Sequence, residues 1–414
     1  MSKSKKHSRH TVLYDTDVAA KKIWLGLLSD FRRTDGLNFA TGAEAAFMTG
    51  ITDYRDYEYP ELGLIPAARF KHWYQLKSLY KKYRFRNDSF DDEALVSKTL
   101  TGFFGKQQEL ATYKSRGLLE HRVLQCARKH AKRILGKYQP DATIDAAKFG
   151  KKSSIGCPLS LAYIDEKLSN VRAFTGSQEC SKWFFEELLP GDPILTALVE
   201  SMGVTLCDPK LRHESLNLVN VPKAWNKHRP ITPLTLLALA YSYGVGDQID
   251  KSLVAEGLDI RKLQNVHRML VKEMSVDMNL ATADLVGASN SLLSWLLNAV
   301  LPREWYVAMK KTFCHQLIVK DGEEEVSMYT ESVLPMGNAL TFPAQTLVFY
   351  VLAKAIAELT GTKGRISVYG DDMIYPSKLH KYVAVIFPKI GLELNMDKTF
   401  VHYPFRESCG ADYY

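Results

Sequence analysis

An α+β fold is predicted for this 414-residue chain by three observations. Apolar residues recur at helical spacing through much of the first third and again after Leu234. Short β-branched and aromatic runs come in pairs around turn residues. The tightest of these pairs, Arg365 to Tyr369 and Met373 to Tyr375, brackets Gly370-Asp371-Asp372. Hydrophobic residues make up 46% and charged residues 24%, the balance of a globular protein. The length admits two or three ordinary domains or one many-lobed chain.

Met1 to His10 carries Lys3, Lys5, Lys6 and Arg9 with no acid and reads as a flexible basic tail. Residues 11 to about 140 are expected to be mainly helical. Two basic stretches there are laced with aromatic rings or an apolar stripe. The first runs from Lys71-His72-Trp73-Tyr74 through Lys77, Tyr80, Lys81, Lys82, Tyr83, Arg84, Phe85 and Arg86. The second, His121 to Lys137, predicts an amphipathic helix with Leu124, Ala127, Ala131 and Leu135 on one face. Either suits a phosphate backbone with stacked bases, and either equally suits a solvated helix face over a core. Phe149 to Gly156 predicts a loop, without the spacing of a phosphate-binding P-loop.

Downstream, Leu218 to Val221 predicts a strand and Leu234 to about Glu256 a helix. Ala281 to Val286 predicts a strand, followed by a helix from about Ser291. Gln316 to Val319 and Val326 to Tyr329 predict a hairpin turning at Asp321-Gly322. A helix from Thr341, with Thr as cap and Pro343 in the first turn, is expected to reach Glu358. After the Gly-Asp-Asp hairpin comes a helix from about His380 to Ile390.

Six scattered cysteines without CxxC spacing argue against a zinc site or a disulfide framework and fit a reducing compartment. No apolar run approaches the ~18 residues needed to cross a bilayer, and no apolar segment follows the basic N-terminus as in a secretory signal. An intracellular protein with no membrane association is expected. The net charge of +8 is compatible with an anionic partner without requiring one.

Paired acids on a hairpin tip suit Mg²⁺, which favours carboxylate oxygens and keeps positions for water and phosphate. Composition alone would supply a Gly-Asp-Asp string in roughly one chain in ten to twenty of this length, so its neighbours decide. A two-metal centre for phosphoryl transfer needs carboxylates from separate elements. Asp284, in the otherwise apolar Thr282-Ala283-Asp284-Leu285-Val286, is the best partner for Asp371 and Asp372, because an acid there is costly unless paired or metal-bound. Between them, Gly337 allows close backbone approach and Asn338 offers a donor and an acceptor to a ribose hydroxyl. Lys223, Lys227 and Arg229 form a basic loop able to neutralise a triphosphate.

The order of these motifs resembles viral RNA-dependent RNA polymerases and, more narrowly, the replicase catalytic subunit of single-stranded RNA bacteriophages (leviviruses). The resemblance rests on Met336-Gly337-Asn338 with Thr341-Phe342, on Val368 to Asp372, and on Lys398-Thr399-Phe400. Phe405-Arg406-Glu407-Ser408-Cys409-Gly410 with Tyr413-Tyr414 completes it. It is firm from about Val219 to Tyr414. It implies a right-hand fold whose palm holds a small antiparallel sheet, and template-directed RNA synthesis by two Mg²⁺ ions, with Mn²⁺ as an alternative. Asp284, Asp371 and Asp372 would be the metal ligands, and Lys398 the acid for pyrophosphate. Asn338 would check the sugar, and Arg229 and Lys227 would contact the triphosphate.

Residues 1–140 are then expected to be a basic region associated with the fingers, and 141–231 to be fingers carrying the loop that admits nucleotide. Palm is expected over 232–403, and the start of a palm–thumb junction over 404–414. Implied partners are template RNA, ribonucleoside triphosphates, host elongation factors Tu and Ts and a ribosomal protein, in the cytoplasm of an infected bacterium. Three departures stand out. Asn290 replaces an acid six positions after the metal-binding Asp, with sugar selection expected to be retuned. Thr232-Pro233-Leu234 lacks an acid, and the chain ends before a thumb, so a truncated polymerase is expected. A mitovirus-like polymerase, a reverse transcriptase, and a non-catalytic RNA-binding protein are the alternatives.

Overall fold

The computed structural model describes residues 16–35, 63, 66–85, 91–113, 117–150, 153–155, 157, 163–169, 177–205, 215–321 and 324–414. The basic tail Met1 to His10 and Arg86 lie outside them. The chain divides into two compact units. One holds the described residues up to Asp92 together with Lys223–Lys227, and the other Glu93–Pro222 with His228–Tyr414.

In the first unit, α1 (Thr16–Asp35) packs on α2 (Ala67–Leu79). Trp24, Leu28, Phe70 and Leu76 are buried. Three aromatic residues of the first basic stretch serve this packing. Tyr83 donates to Asp17 at 2.7 Å, Tyr80 donates to the Ala20 carbonyl, and buried Phe85 meets both rings edge-on.

The second unit is built around one long core. It contains α3 (Asp92–Thr112) from its second residue onward, α4 (Leu118–Leu135), α5 (Leu236–Ala255), α6 (Ile260–Asp277), α7 (Ser294–Val300), α8 (Thr341–Thr360) and α9 (His380–Lys389). Helix α8 is central and packs against α4 and α5. It is long and apolar enough to cross a membrane by length and composition, contrary to the expectation that no such run exists. Most of that window is buried in protein, which accounts for its apolarity. The predicted stripe of α4 is buried against it, while Arg128, Lys129, Lys132 and Arg133 face solvent. Two of these cations are already paired, Arg133 with Glu256 at 2.6 Å and Lys129 with Glu358 at 3.6 Å.

The strands are short. β1 (Leu216–Asn217) runs parallel to β5 (Gln316–Asp321), which pairs with β6 (Glu324–Tyr329) in the predicted hairpin. β2 (Val219–Ala224) and β3 (Lys227–Ile231) form a second hairpin. A three-stranded antiparallel sheet has the order β4 (Leu280–Ala283), β8 (Asp372–Pro376), β7 (Ser367–Tyr369). β9 (Arg406–Ser408) and β10 (Ala411–Tyr413) pair antiparallel, and α6 packs on both and on β4 and β7.

Three local expectations are corrected. β4 stops at Ala283, not Val286, because the backbone turns to residues 393–400: the Val286 N–H reaches the Glu393 carbonyl at 2.9 Å. The helix expected from Ser291 is a 3₁₀ turn, Ala288–Ser291, followed by α7. Leu293 is held extended by a bridge to Ser332, which delays the helix. Thr341 does not cap α8. Its hydroxyl donates to the Leu334 and Pro335 carbonyls at 3.1 and 2.9 Å, fastening the preceding loop to the helix start.

The Gly-Asp-Asp turn is docked on that helix start. Gly370 has φ +63°, and a Cβ there would lie 2.5 Å from the Phe342 ring. Its N–H donates to Thr346 Oγ1 at 3.0 Å, and Tyr369 meets Phe342 edge-on. Gly370→Ala therefore combines a left-handed backbone with a clash. We expect a loss of about 1–3 kcal/mol, read as a lowered denaturant midpoint.

Candidate active site

The antiparallel register pairs Ala283 with Met373, so one further step sets Asp284 opposite Asp372 across the β4–β8 edge. Both faces of this sheet are covered, so Val368, Met373, Ile374 and Tyr375 are all buried, while Asp371 at the turn is exposed. Asp284 is buried. On its other side lies the segment carrying Lys398. The Thr282 and Phe400 backbones exchange hydrogen bonds at 3.1 and 2.8 Å, and the Asn395 N–H donates to the Asp284 carbonyl at 2.8 Å. Lys398 Nζ lies 3.1 Å from Asp284 Oδ2, and Asn395 Nδ2 donates to the same oxygen at 3.0 Å.

Four residues singled out from sequence thus converge: Asp284, Asp371, Asp372 and Lys398. Asp372 is only partly exposed, and desolvation together with Glu407, Asp371 and Asp284 pushes its carboxyl up to about 7, against the pull of Lys398. Lys398 loses solvation, but Asp284 and Glu407 outweigh that and hold its ammonium above its ordinary range.

The Arg406 to Gly410 block has a physical reading residue by residue. Arg406 is fully buried and spends its guanidinium on carbonyls: Leu280 and Val401 at 2.8 Å, Phe405 at 2.7 Å, and Tyr403. Burial holds it down to about 10. On the opposite face of β9, Glu407 acts on Asp372 more strongly than any other charged group does. Desolvation raises its own pKa. Ser408 shares buried His267 with Ser367, at 3.0 and 2.9 Å, which ties β9 and β7 to α6. Cys409, at φ +53°, hydrogen-bonds Asp372 through a thiol that burial holds protonated. Glu407, Cys409 and Asn395 are the site residues that sequence reasoning missed. The only signal for the first two was the motif that contains them.

The remaining expected residues lie as follows. Asn338 is buried: its Oδ1 accepts from the Leu340 N–H at 2.9 Å and its Nδ2 donates to Thr312 Oγ1 at 3.2 Å. These bonds shape its own loop. Gly337 has φ +125°, and a Cβ there would lie 2.3 Å from the Thr232 carbonyl, so glycine is needed for packing against the segment after β3. Asn290 is half-buried in the 3₁₀ turn after Asp284. Arg229 is half-buried on β3 in the second unit, whereas Lys223 and Lys227 are exposed within the first.

These residues fit divalent cations. Asp284, Asp371 and Glu407 all act on Asp372, which is already forced toward protonation, and Glu407 Oε2 lacks a hydrogen-bond partner among the described residues. Hard cations take oxygen donors of this kind. Elsewhere, Cys126, His130 and Glu358 bring potential ligand atoms within 4.8 Å of one another. There the carboxylate is held by Lys129 and lies 2.9 Å from His130, with Lys354 and Arg133 also near the imidazole, a field that opposes a metal ion.

Residues 86–414 match the family model described as RNA replicase, beta-chain. The RNA-directed RNA polymerase beta chain of Escherichia phage MS2 is 38% identical over 171 residues, covering 41% of this chain and 30% of that protein. The RNA-directed RNA polymerase subunit beta of Escherichia virus Qbeta is 34% identical over 197 residues, 47% of this chain and 33% of that protein. Among solved structures, the RNA-dependent RNA polymerase from bacteriophage phi12 overlays with a TM-score of 0.41 at 10% identity, over 70% of this chain and 54% of that one. The matched segments span about a third of the length of these curated relatives. With the family model covering residues 86–414, the chain belongs to the RNA replicase beta-chain family.

Proposed function

We propose that this chain carries the palm of an RNA-directed RNA polymerase that copies a phage RNA genome in a bacterial host, taking template RNA and ribonucleoside triphosphates. The observation that carries the reading is the convergence of Asp284, Asp371 and Asp372 on one sheet edge beside Lys398. In it, Asp284, Asp371 and Asp372 would hold two Mg²⁺ ions. When bound, the ions supply Lewis-acid stabilisation of the attacking and leaving oxygens.

The protein's own part is positioning and proton supply. The β4–β8 register sets carboxylates from two strands at a fixed separation, so the primer 3′-hydroxyl and the α-phosphate are brought in line without reorganisation of the backbone. The hydroxyl gives up its proton to solvent, its oxygen forms the new bond to the α-phosphorus, and the bond from that phosphorus to the α–β bridging oxygen breaks to release pyrophosphate. Lys398, kept protonated by Asp284 and Glu407, then gives a proton to the departing pyrophosphate. Arg229 neutralises the triphosphate, and Asn290 and Asn338 read the ribose. Recruitment of elongation factors Tu and Ts and of a ribosomal protein rests on the family resemblance alone.

Two experiments test this reading. On an RNA template, labelled ribonucleotides are expected to be incorporated in preference to deoxyribonucleotides. Asp371→Asn or Asp284→Asn should each lower incorporation by more than about a hundredfold, beyond what residues behind the ligands usually cost. A deoxyribonucleotide preference would favour a reverse transcriptase instead.

The second reads stability in EDTA. Because the folded pKa of Asp372 is raised from 3.8 to about 7, the native state binds more protons than the unfolded state between those values. This group's contribution to stability therefore falls as pH rises through that window. The denaturant midpoint of Asp372→Asn should gain on that of the parent chain from about pH 4 to about pH 7. Added Mg²⁺ should narrow the gap by stabilising the parent.

A further inference from the structure

Glu407 is the acid to which the proposed chemistry gives no separate task. It is more than nine-tenths buried; its Oε1 accepts the Gly410 N–H at 3.2 Å, and its Oε2 has no hydrogen-bond partner among the described residues. A buried carboxylate oxygen without a donor is costly. One retained in a strand that packs on β4 is open to a cation that reaches it in another state of the site.

The source of that cation is set by Asp284, whose Oδ2 already accepts from both Lys398 and Asn395. A divalent ion bound through Asp284 competes with the ammonium for that oxygen and repels it. Lys398 must then shift, and Glu407 is, after Asp284, the carboxylate that acts most strongly on it. We propose that Glu407 is the positioning residue that receives Lys398 when a divalent ion takes Asp284, keeping the ammonium beside the leaving pyrophosphate. This rests on the metal-centre reading above. The rival role for Glu407 is direct ligation of the ion.

Mn²⁺ binding to the full chain, followed by the electron paramagnetic resonance of free Mn²⁺, separates the two. Glu407→Gln keeps the shape and the acceptor for Gly410. It is expected to weaken Mn²⁺ binding at least about tenfold when Lys398 is present, as for groups that orient ligands. In a Lys398→Met background the same change should have little effect, because no ammonium needs a new partner. Glu407→Asp, which keeps the charge, should retain most of the affinity. Equal weakening in both backgrounds would overturn the proposal by making Glu407 a ligand, and no weakening in either would leave it a structural acid. Asp371→Asn is the control: if it leaves Mn²⁺ affinity unchanged, the metal-centre reading falls first and this one with it.

Discussion

Crowding of carboxylates on one desolvated sheet edge is the constraint around which this site is built. Asp284, Glu407 and Asp372 all act on the Lys398 ammonium, and burial together with Glu407, Asp371 and Asp284 raises the Asp372 carboxyl. At an effective dielectric near 20, like charges about 4 Å apart repel by roughly 4 kcal/mol, a sizeable fraction of the stability of an ordinary domain. Left to relax, such a cluster would splay. The surrounding structure prevents it by fixing backbone on every side. β8 is paired on both edges, the 393–400 segment clasps the outer edge of β4, and α8 receives the turn through Thr346 and Phe342. Strain is stored with it, in the left-handed backbone of Cys409.

The polar groups that do this work are unusual in being buried with neutral partners. Arg406 meets carbonyls instead of a carboxylate, and His267 bridges two serine hydroxyls. Each joins segments far apart in sequence, and neither brings a further acid to the centre. An acid paired with Arg406 would add to the repulsion around Asp372. Carbonyl dipoles satisfy the guanidinium without doing so.

Much of this was legible in the sequence because it is local. The Gly370 turn, the β5–β6 hairpin, the α4 stripe and the bounds of α5 and α9 follow from turn chemistry and apolar spacing. The pairing of Asp284 with the turn followed from the cost of an acid in an apolar strand. What was not legible depends on non-local contact. Glu407 sits on a three-residue strand whose partners lie in β4 and α6, and no periodicity marks it. Asn395 acts through a clasp that forms only when residues 393–400 lie along β4. The aromatic residues at Tyr80, Tyr83 and Phe85 read as stacking partners for bases but are engaged by their own unit. Thr341 has the composition of a cap, yet its hydroxyl bonds backward to the loop.

Carboxylates gathered on one desolvated sheet edge suit a divalent cation. The most direct measurement is the anomalous difference density of crystals of the chain soaked in Mn²⁺. The account predicts a peak bounded by Asp284, Asp371 and Asp372, with Lys398 displaced from Asp284. A soak that leaves those carboxylates without a peak, and Lys398 still on Asp284, would contradict it.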